Sequence, residues 1–242
     1  MGRYDLALIG FGGVNRALTE LISRSGDRLA GELDFALRVV AITDLRAGSL
    51  VDTADIDLTP LLTAEPGELS FAGLAGGSAV PRNEWVIREV PADIVVEATF
   101  TNPTDGEPTL THVRWALESG KHVCTTDKGP VALAGRALMR LAVERGVSFE
   151  FEGSVLSGTP VLRTAEPCSA AWRSPASRTI MNGTSNYIRA EHRDLRNTGD
   201  QSARGRAQLR LPFAQFSDGA NLVVQGGLLE REEATALLTL LP

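Results

Sequence analysis

The chain has 242 residues, 43% of them apolar and 22% charged, with a net charge of −6 and a pI near 5.2. This is the composition of a globular protein able to bury a core in one large domain or two ordinary ones, and its acidity argues against a polyanion-binding surface, so nucleic acid is not an expected partner. No stretch approaches the roughly 20 apolar residues that span a bilayer, and the glycine-rich residues 10–15 break up any leader-like N-terminus, so a cytoplasmic location away from membranes is expected.

Residues 4–9 are a short apolar run, followed by Gly10-Phe11-Gly12-Gly13-Val14-Asn15. Val14, Leu18, Leu21 and Ile22 then recur at helical spacing. Strand, glycine turn and amphipathic helix in that order form the setting of a dinucleotide-binding fingerprint. Glycine makes the tight turn and lets the backbone approach a pyrophosphate, which the helix N-terminus stabilises. Asn15 stands where the third glycine normally allows close helix–strand packing, so the helix is expected to stand slightly farther off.

A second apolar strand, residues 37–42, runs into Thr43-Asp44-Leu45-Arg46. Asp44 at the end of that strand suits a ribose hydroxyl and NAD, whereas Arg46 suits a 2′-phosphate and NADP, and a solvated turn is the plain alternative to both. Residues 47–81 read as loop with short helical pieces, and residues 85–90 as a short helix or strand. Ile94-Val95-Val96 is a buried parallel strand by its unbroken apolar character. Glu97-Ala98-Thr99 ends it at the ligand-facing edge. A turn at residues 102–106 precedes a helix over 107–119, with Pro108 in its first turn.

The next strand, residues 122–125, contains Cys124. Cys124 and Cys168 are too far apart in sequence to suggest a disulfide framework or metal spacing, and both are expected as buried small residues in a reducing compartment. Lys128 follows, one of only two lysines in a chain whose other cations are arginines. A compact ammonium at the end of a strand, where open α/β sheets bind ligands, points to a role that a planar guanidinium could not fill; an ordinary loop lysine is the alternative. Gly129-Pro130 reads as a turn, with a helix from about 133 to 144 and a strand over 147–152. The loop Gly153-Ser154-Val155-Leu156-Ser157-Gly158-Thr159-Pro160 follows, and with Glu152 its carbonyls could surround a hard cation, or simply form a turn. Residues 178–188 are a short strand whose polar end starts a helix.

The fold class is therefore α/β, a Rossmann-type doubly wound parallel sheet over residues 1–150. With these pieces in order the chain resembles the homoserine dehydrogenases. The resemblance rests on the 10–15 fingerprint, on Val95-Val96-Glu97-Ala98-Thr99 with Asn102 and Gly106-Glu107-Pro108, on Gly120-Lys121-His122-Val123 leading to Lys128-Gly129-Pro130, and on Asn182-Gly183-Thr184-Ser185-Asn186-Tyr187-Ile188. It covers roughly residues 3–188, and it implies that an incomplete α+β substrate or dimerisation domain follows over 151–242.

The resemblance implies NAD(P)-dependent interconversion of L-homoserine and L-aspartate 4-semialdehyde. Gly10, Phe11, Gly12, Gly13, Val14, Thr99 and Lys128 would contact NAD or NADP, and Lys128 would also be the catalytic or substrate-contacting amine. Glu152, Val155, Ser157 and Thr159 would correspond to the ligands of a monovalent cation such as Na+, and Gly183 and Thr184 would line the substrate pocket. A small-molecule substrate and a homodimer belong to the same expectation.

After Ile188 the likeness stops. The family's Asp-Pro-x-x-Asp-x-x-Gly-x-Asp run and its lysine have no counterpart, and residues 189–210 instead hold Arg189, Arg193, Arg196, Arg204, Arg206 and Arg210 without apolar periodicity. A diverged fragment and a tail read in a shifted frame both account for this. A nucleotide-binding module without turnover is the alternative function, and the 182–188 block speaks against a different dehydrogenase on the same architecture.

Overall fold

The computed structural model describes residues 2–155, apart from 66, 101 and 103, together with 162. The strand and helix start expected at 178–188 and the arginine-bearing segment 189–210 lie outside the described residues, as does nearly all of the expected second domain. The described chain runs β1 (Gly2–Ile9), α1 (Gly13–Leu33), β2 (Phe35–Asp44), β3 (Gly48–Val51), α2 (Thr59–Thr63), β4 (Gly77–Ser78), α3 (Asn83–Glu89), β5 (Ile94–Glu97), α4 (Thr109–Glu118), β6 (His122–Thr125), α5 (Gly129–Arg145) and β7 (Phe149–Glu150), then a 3-10 turn at Glu152–Ser154.

The strands form one sheet in the order β4-β3-β2-β1-β5-β6-β7. β2, β1, β5, β6 and β7 are parallel, while β3 and β4 add an antiparallel edge. The residues expected as irregular loop, 47–81, thus contribute two strands and one helical turn. Their short lengths and Gly/Ser content hid the pairing, because register there comes from the neighbouring strand, β2 for β3 and β3 for β4, rather than from local periodicity.

Side chains alternate across the sheet and are covered on both faces. Ala7 and Ile9 of β1 pack with Val86, Ile87, Val113, Leu117, Val131 and Leu138 of α3, α4 and α5. Leu6 and Leu8 pack on the other face with Phe11, Ile42, Leu61 and Phe71, and with Leu18 and Ile22 of α1. Cys124 is exposed, contrary to the sequence expectation, because its neighbours Val123 and Thr125 take the covered face of β6. Among the described residues, α1 packs on β2 and on α2.

Three helices differ from their expected bounds. α4 runs from Thr109 to Glu118, with Pro108 as its N-cap rather than in its first turn. α5 begins at Gly129, so Gly129-Pro130 is its first turn rather than a separate loop. Proline suits that position because its missing N–H would have no intrahelical partner. Residues 85–89 fall within helix α3 and Val90 is its extended C-cap; Val86 and Ile87 are buried side by side against the sheet and the α4 helix.

Candidate functional site

The sheet order reverses at β1 and β5, and the crevice outside their C-terminal ends is where such sheets bind ligands. Gly10 leaves β1 with φ +80°, and a Cβ there would sit 2.8 Å from the Ala98 carbonyl oxygen and 3.1 Å from the Thr99 Cα. Glycine is therefore required for the two strand ends to meet. Gly12 and Gly13 differ: among the described residues nothing lies within 4 Å of where a Cβ would be. Gly12 caps α1, Gly13 and Val14 open its first turn, and Val14 is exposed. Phe11 is buried edge-on against Phe71, with Arg16 over its ring.

Asn15, in the place of the third fingerprint glycine, faces the strand ends. It is fully buried, and its Nδ2 donates to Gly10 O at 2.6 Å and Ile9 O at 3.3 Å, and reaches Val96 O at 3.4 Å. The amide fills the space above the strand ends and ties α1 to both β1 and β5. An asparagine can replace the packing glycine here because it exchanges empty contact for hydrogen bonds.

Asp44 ends β2 inside the β2–β3 hairpin. Its Oδ2 accepts from the Phe11 N–H at 2.9 Å, and its Oδ1 accepts from the N–H groups of Arg46 at 2.9 Å and Ala47 at 3.2 Å. Partial burial opposes its ionisation, but the three N–H donors and the Arg46 charge outweigh that and hold its pKa below the usual carboxylate value. The Arg46 side chain itself is exposed at the hairpin turn.

On the far side of the crevice stand Thr99, after β5, and Lys128, after β6. Lys128 is half-buried and is the N-cap of α5, its carbonyl accepting from Ala132 N at 2.9 Å. A cation at the positive end of a helix is electrostatically unfavourable, so helix stability is not the reason for a lysine here. Asp127 beside it is buried and accepts from Gly129 N at 2.8 Å and from the Thr109 hydroxyl at 2.9 Å. Ser154 donates to the carbonyls of Asp127, at 2.9 Å, and Thr125, at 3.2 Å. The segment after β7 is thereby fastened to the Lys128 loop. Glu152, next to it, accepts from Leu162 N at 2.9 Å, and Val155 is buried. Ser157, Thr159, Gly183 and Thr184 lie outside the described residues.

Sequence reasoning passed over Glu97, Thr109, His112 and Asp127 as site residues, yet all four are buried behind the crevice. A carboxylate closing an otherwise apolar strand, as in Ile94-Val95-Val96-Glu97, was the signal available for the first.

A parallel sheet wound on both faces, with a glycine turn leading into a helix at its switch point, defines a Rossmann-type α/β protein. No protein-family model matches the chain. An NAD(+)-dependent homoserine dehydrogenase from Pseudomonas canavaninivorans is 48% identical over 188 residues, 78% of this chain and 53% of the relative. A homoserine dehydrogenase from Methanocaldococcus jannaschii is 32% identical over 184 residues, 76% of this chain and 54% of the relative. A hyperthermophilic archaeal homoserine dehydrogenase solved in complex with NADPH superposes with a TM-score of 0.55 at 27% identity, covering 66% of this chain and 47% of that one. Over these residues the chain is a homologue of the homoserine dehydrogenases. It spans about half the length of the curated relatives it matches, 53% and 54%.

Proposed function

We propose that this chain binds a nicotinamide dinucleotide in the β1/β5 crevice and carries the cofactor half of a homoserine dehydrogenase site, for NAD(P)-dependent interconversion of L-homoserine and L-aspartate 4-semialdehyde. The observation that carries this reading is the convergence of Gly12, Asp44, Thr99 and Lys128 on the C-terminal edge of one parallel sheet. The residues fit the group. Open space at Gly12 and Gly13 admits a pyrophosphate against the α1 N-terminus, and a Cβ at Gly12 would occupy it. Asp44 keeps a negative charge where an adenosine ribose would lie, which favours NAD over the 2′-phosphate of NADP despite the nearby Arg46. When bound, the dinucleotide supplies hydride chemistry. Lys128 binds and orients the substrate hydroxyl or holds its proton at Nζ, while Thr99 fixes the wall opposite Gly10.

A small-molecule substrate contacting Gly183 and Thr184, a monovalent cation held by Glu152, Val155, Ser157 and Thr159, a homodimer and a cytoplasmic setting complete the proposal. Among the described residues no helix is long and apolar enough to cross a membrane. One observation favours the second reading, a binding module with little turnover: after Ile188 the sequence has no acidic Asp-Pro-x-x-Asp run and no lysine. Titration of the purified chain with NADH and NADPH, read by fluorescence and thermal shift, tests the first claim. NADH is expected to bind more tightly. No response to either cofactor overturns the reading.

A further inference from the structure

Glu97 is fully buried at the C-terminal end of β5. A carboxylate taken out of water has to recover its hydrogen bonds from the protein. Its Oε1 accepts from both the N–H, at 3.3 Å, and the hydroxyl of Thr99, and lies 3.4 Å from His112 Nδ1. Its Oε2 accepts from the Thr125 hydroxyl at 3.3 Å. From Thr99 the contacts continue: its Oγ1 lies 3.0 Å from Thr109 Oγ1, which donates to Asp127 Oδ2 at 2.9 Å. Asp127 in turn holds the first N–H of α5, directly after Lys128, at 2.8 Å. A ladder from Glu97 to Asp127 therefore runs by the close Thr99–Thr109 approach and, with its protons placed, by Thr125, which donates to Glu97 Oε2 and accepts from Asp127 N at 3.0 Å. It joins the end of β5, the start of α4 and the Lys128 turn.

The ladder occupies one side of the crevice. In a doubly wound sheet each half takes one mononucleotide. The glycine turn and Asp44 belong to the β1–β2 half, whereas every rung of the ladder belongs to the β5–β6 half. We propose that Glu97 is a positioning residue for the nicotinamide half of the site: through Thr99, Thr109 and Asp127 it sets Thr99 and the Lys128 turn, and does not act on the adenosine half. This rests on the dinucleotide-binding reading above.

The test compares two ligands on the full chain, NADH and ADP, the second lacking the nicotinamide ribose and ring. Dissociation constants are measured by calorimetry for the unaltered chain, Glu97→Gln and Thr109→Val, with thermal stability recorded for each. Selective weakening of NADH, roughly tenfold for Glu97→Gln, with ADP held within about twofold, is expected, and Thr109→Ser should recover NADH affinity because it keeps the hydroxyl. Equal loss of both ligands shows a merely structural role and overturns the proposal, as does no loss of either. Thr109→Val changes no charge, so it decides the matter even where Glu97→Gln fails to fold. Failure of the unaltered chain to bind NADH is a separate result, which overturns the dinucleotide reading and this inference with it.

Discussion

Gly106 and Gly129 meet backbone to backbone: a Cβ on Gly129 would lie 2.9 Å from the Gly106 Cα and 3.2 Å from the Asn102 carbonyl oxygen. The turn before α4 and the first residue of α5 can approach this closely only as glycines, and Gly106 also needs its positive φ of +73°. Gly129→Ala is expected to destabilise the fold by about 1–3 kcal/mol through overpacking, measured by urea denaturation. Because Lys128 caps the same helix, any nucleotide response should weaken with it.

The fingerprint glycines separate into two kinds. Gly12→Val places its side chain in open space, so it should leave the melting temperature nearly unchanged while abolishing the NADH response. Gly10→Ala drives a Cβ into the Ala98 carbonyl at a φ of +80° and should cost stability itself, about 1–3 kcal/mol. Melting curves with and without NADH distinguish them. Equal melting losses would remove this distinction.

Restoring the usual fingerprint glycine should harm this protein. Asn15→Gly removes the amide that ties α1 to Gly10, Ile9 and Val96, and adds backbone freedom within the helix. A loss of about 1–3 kcal/mol is expected, detectable as a lower denaturation midpoint. An unchanged midpoint would show that the buried amide contributes nothing net.

Asp44 gives a pH dependence of definite sign. Burial would raise its pKa, but the N–H groups of Phe11, Arg46 and Ala47 and the Arg46 charge bring the folded value below the ordinary one. Its contribution is fully present above the unfolded carboxylate pKa of about 3.9 and is lost as pH falls through the lower folded value. Asp44→Asn should therefore be less stable than the unaltered chain at pH 7. The difference should shrink on acidification below about pH 4, as followed by melting temperature across that range. Asp44→Asn should also narrow the preference for NADH over NADPH.

Turnover should be slow, because the family's acidic run and second lysine have no counterpart after Ile188. Lys128→Ala should lower any residual oxidation of L-homoserine by roughly a hundred- to ten-thousand-fold, the range for losing a proton-transfer group. The assay follows NADH formation at alkaline pH. Identical traces from both proteins would make Lys128 an ordinary loop lysine.

Much of this was legible in the chain itself. Ile94-Val95-Val96 is apolar on consecutive residues because it is covered on both faces, and the 10–15 block announces itself because glycine chemistry is local. Local signals of this kind, in periodicity, turn residues and helix starts, were enough for the parallel α/β architecture and the family resemblance. The tertiary structure decided what depends on partners distant in sequence. Strand β3 exists through pairing with β2 and β4 through pairing with β3, Asn15 acts through a carbonyl on β5 some eighty residues away (|i−j| = 81), and Cys124 is exposed because Val123 and Thr125 take the covered face of β6. Glu97 and Asp127 read as a strand end and a loop acid, and only folding buries them on one ladder of hydroxyls. A buried carboxyl group is defined by what surrounds it, and the ladder's surroundings come from three separate segments of the chain.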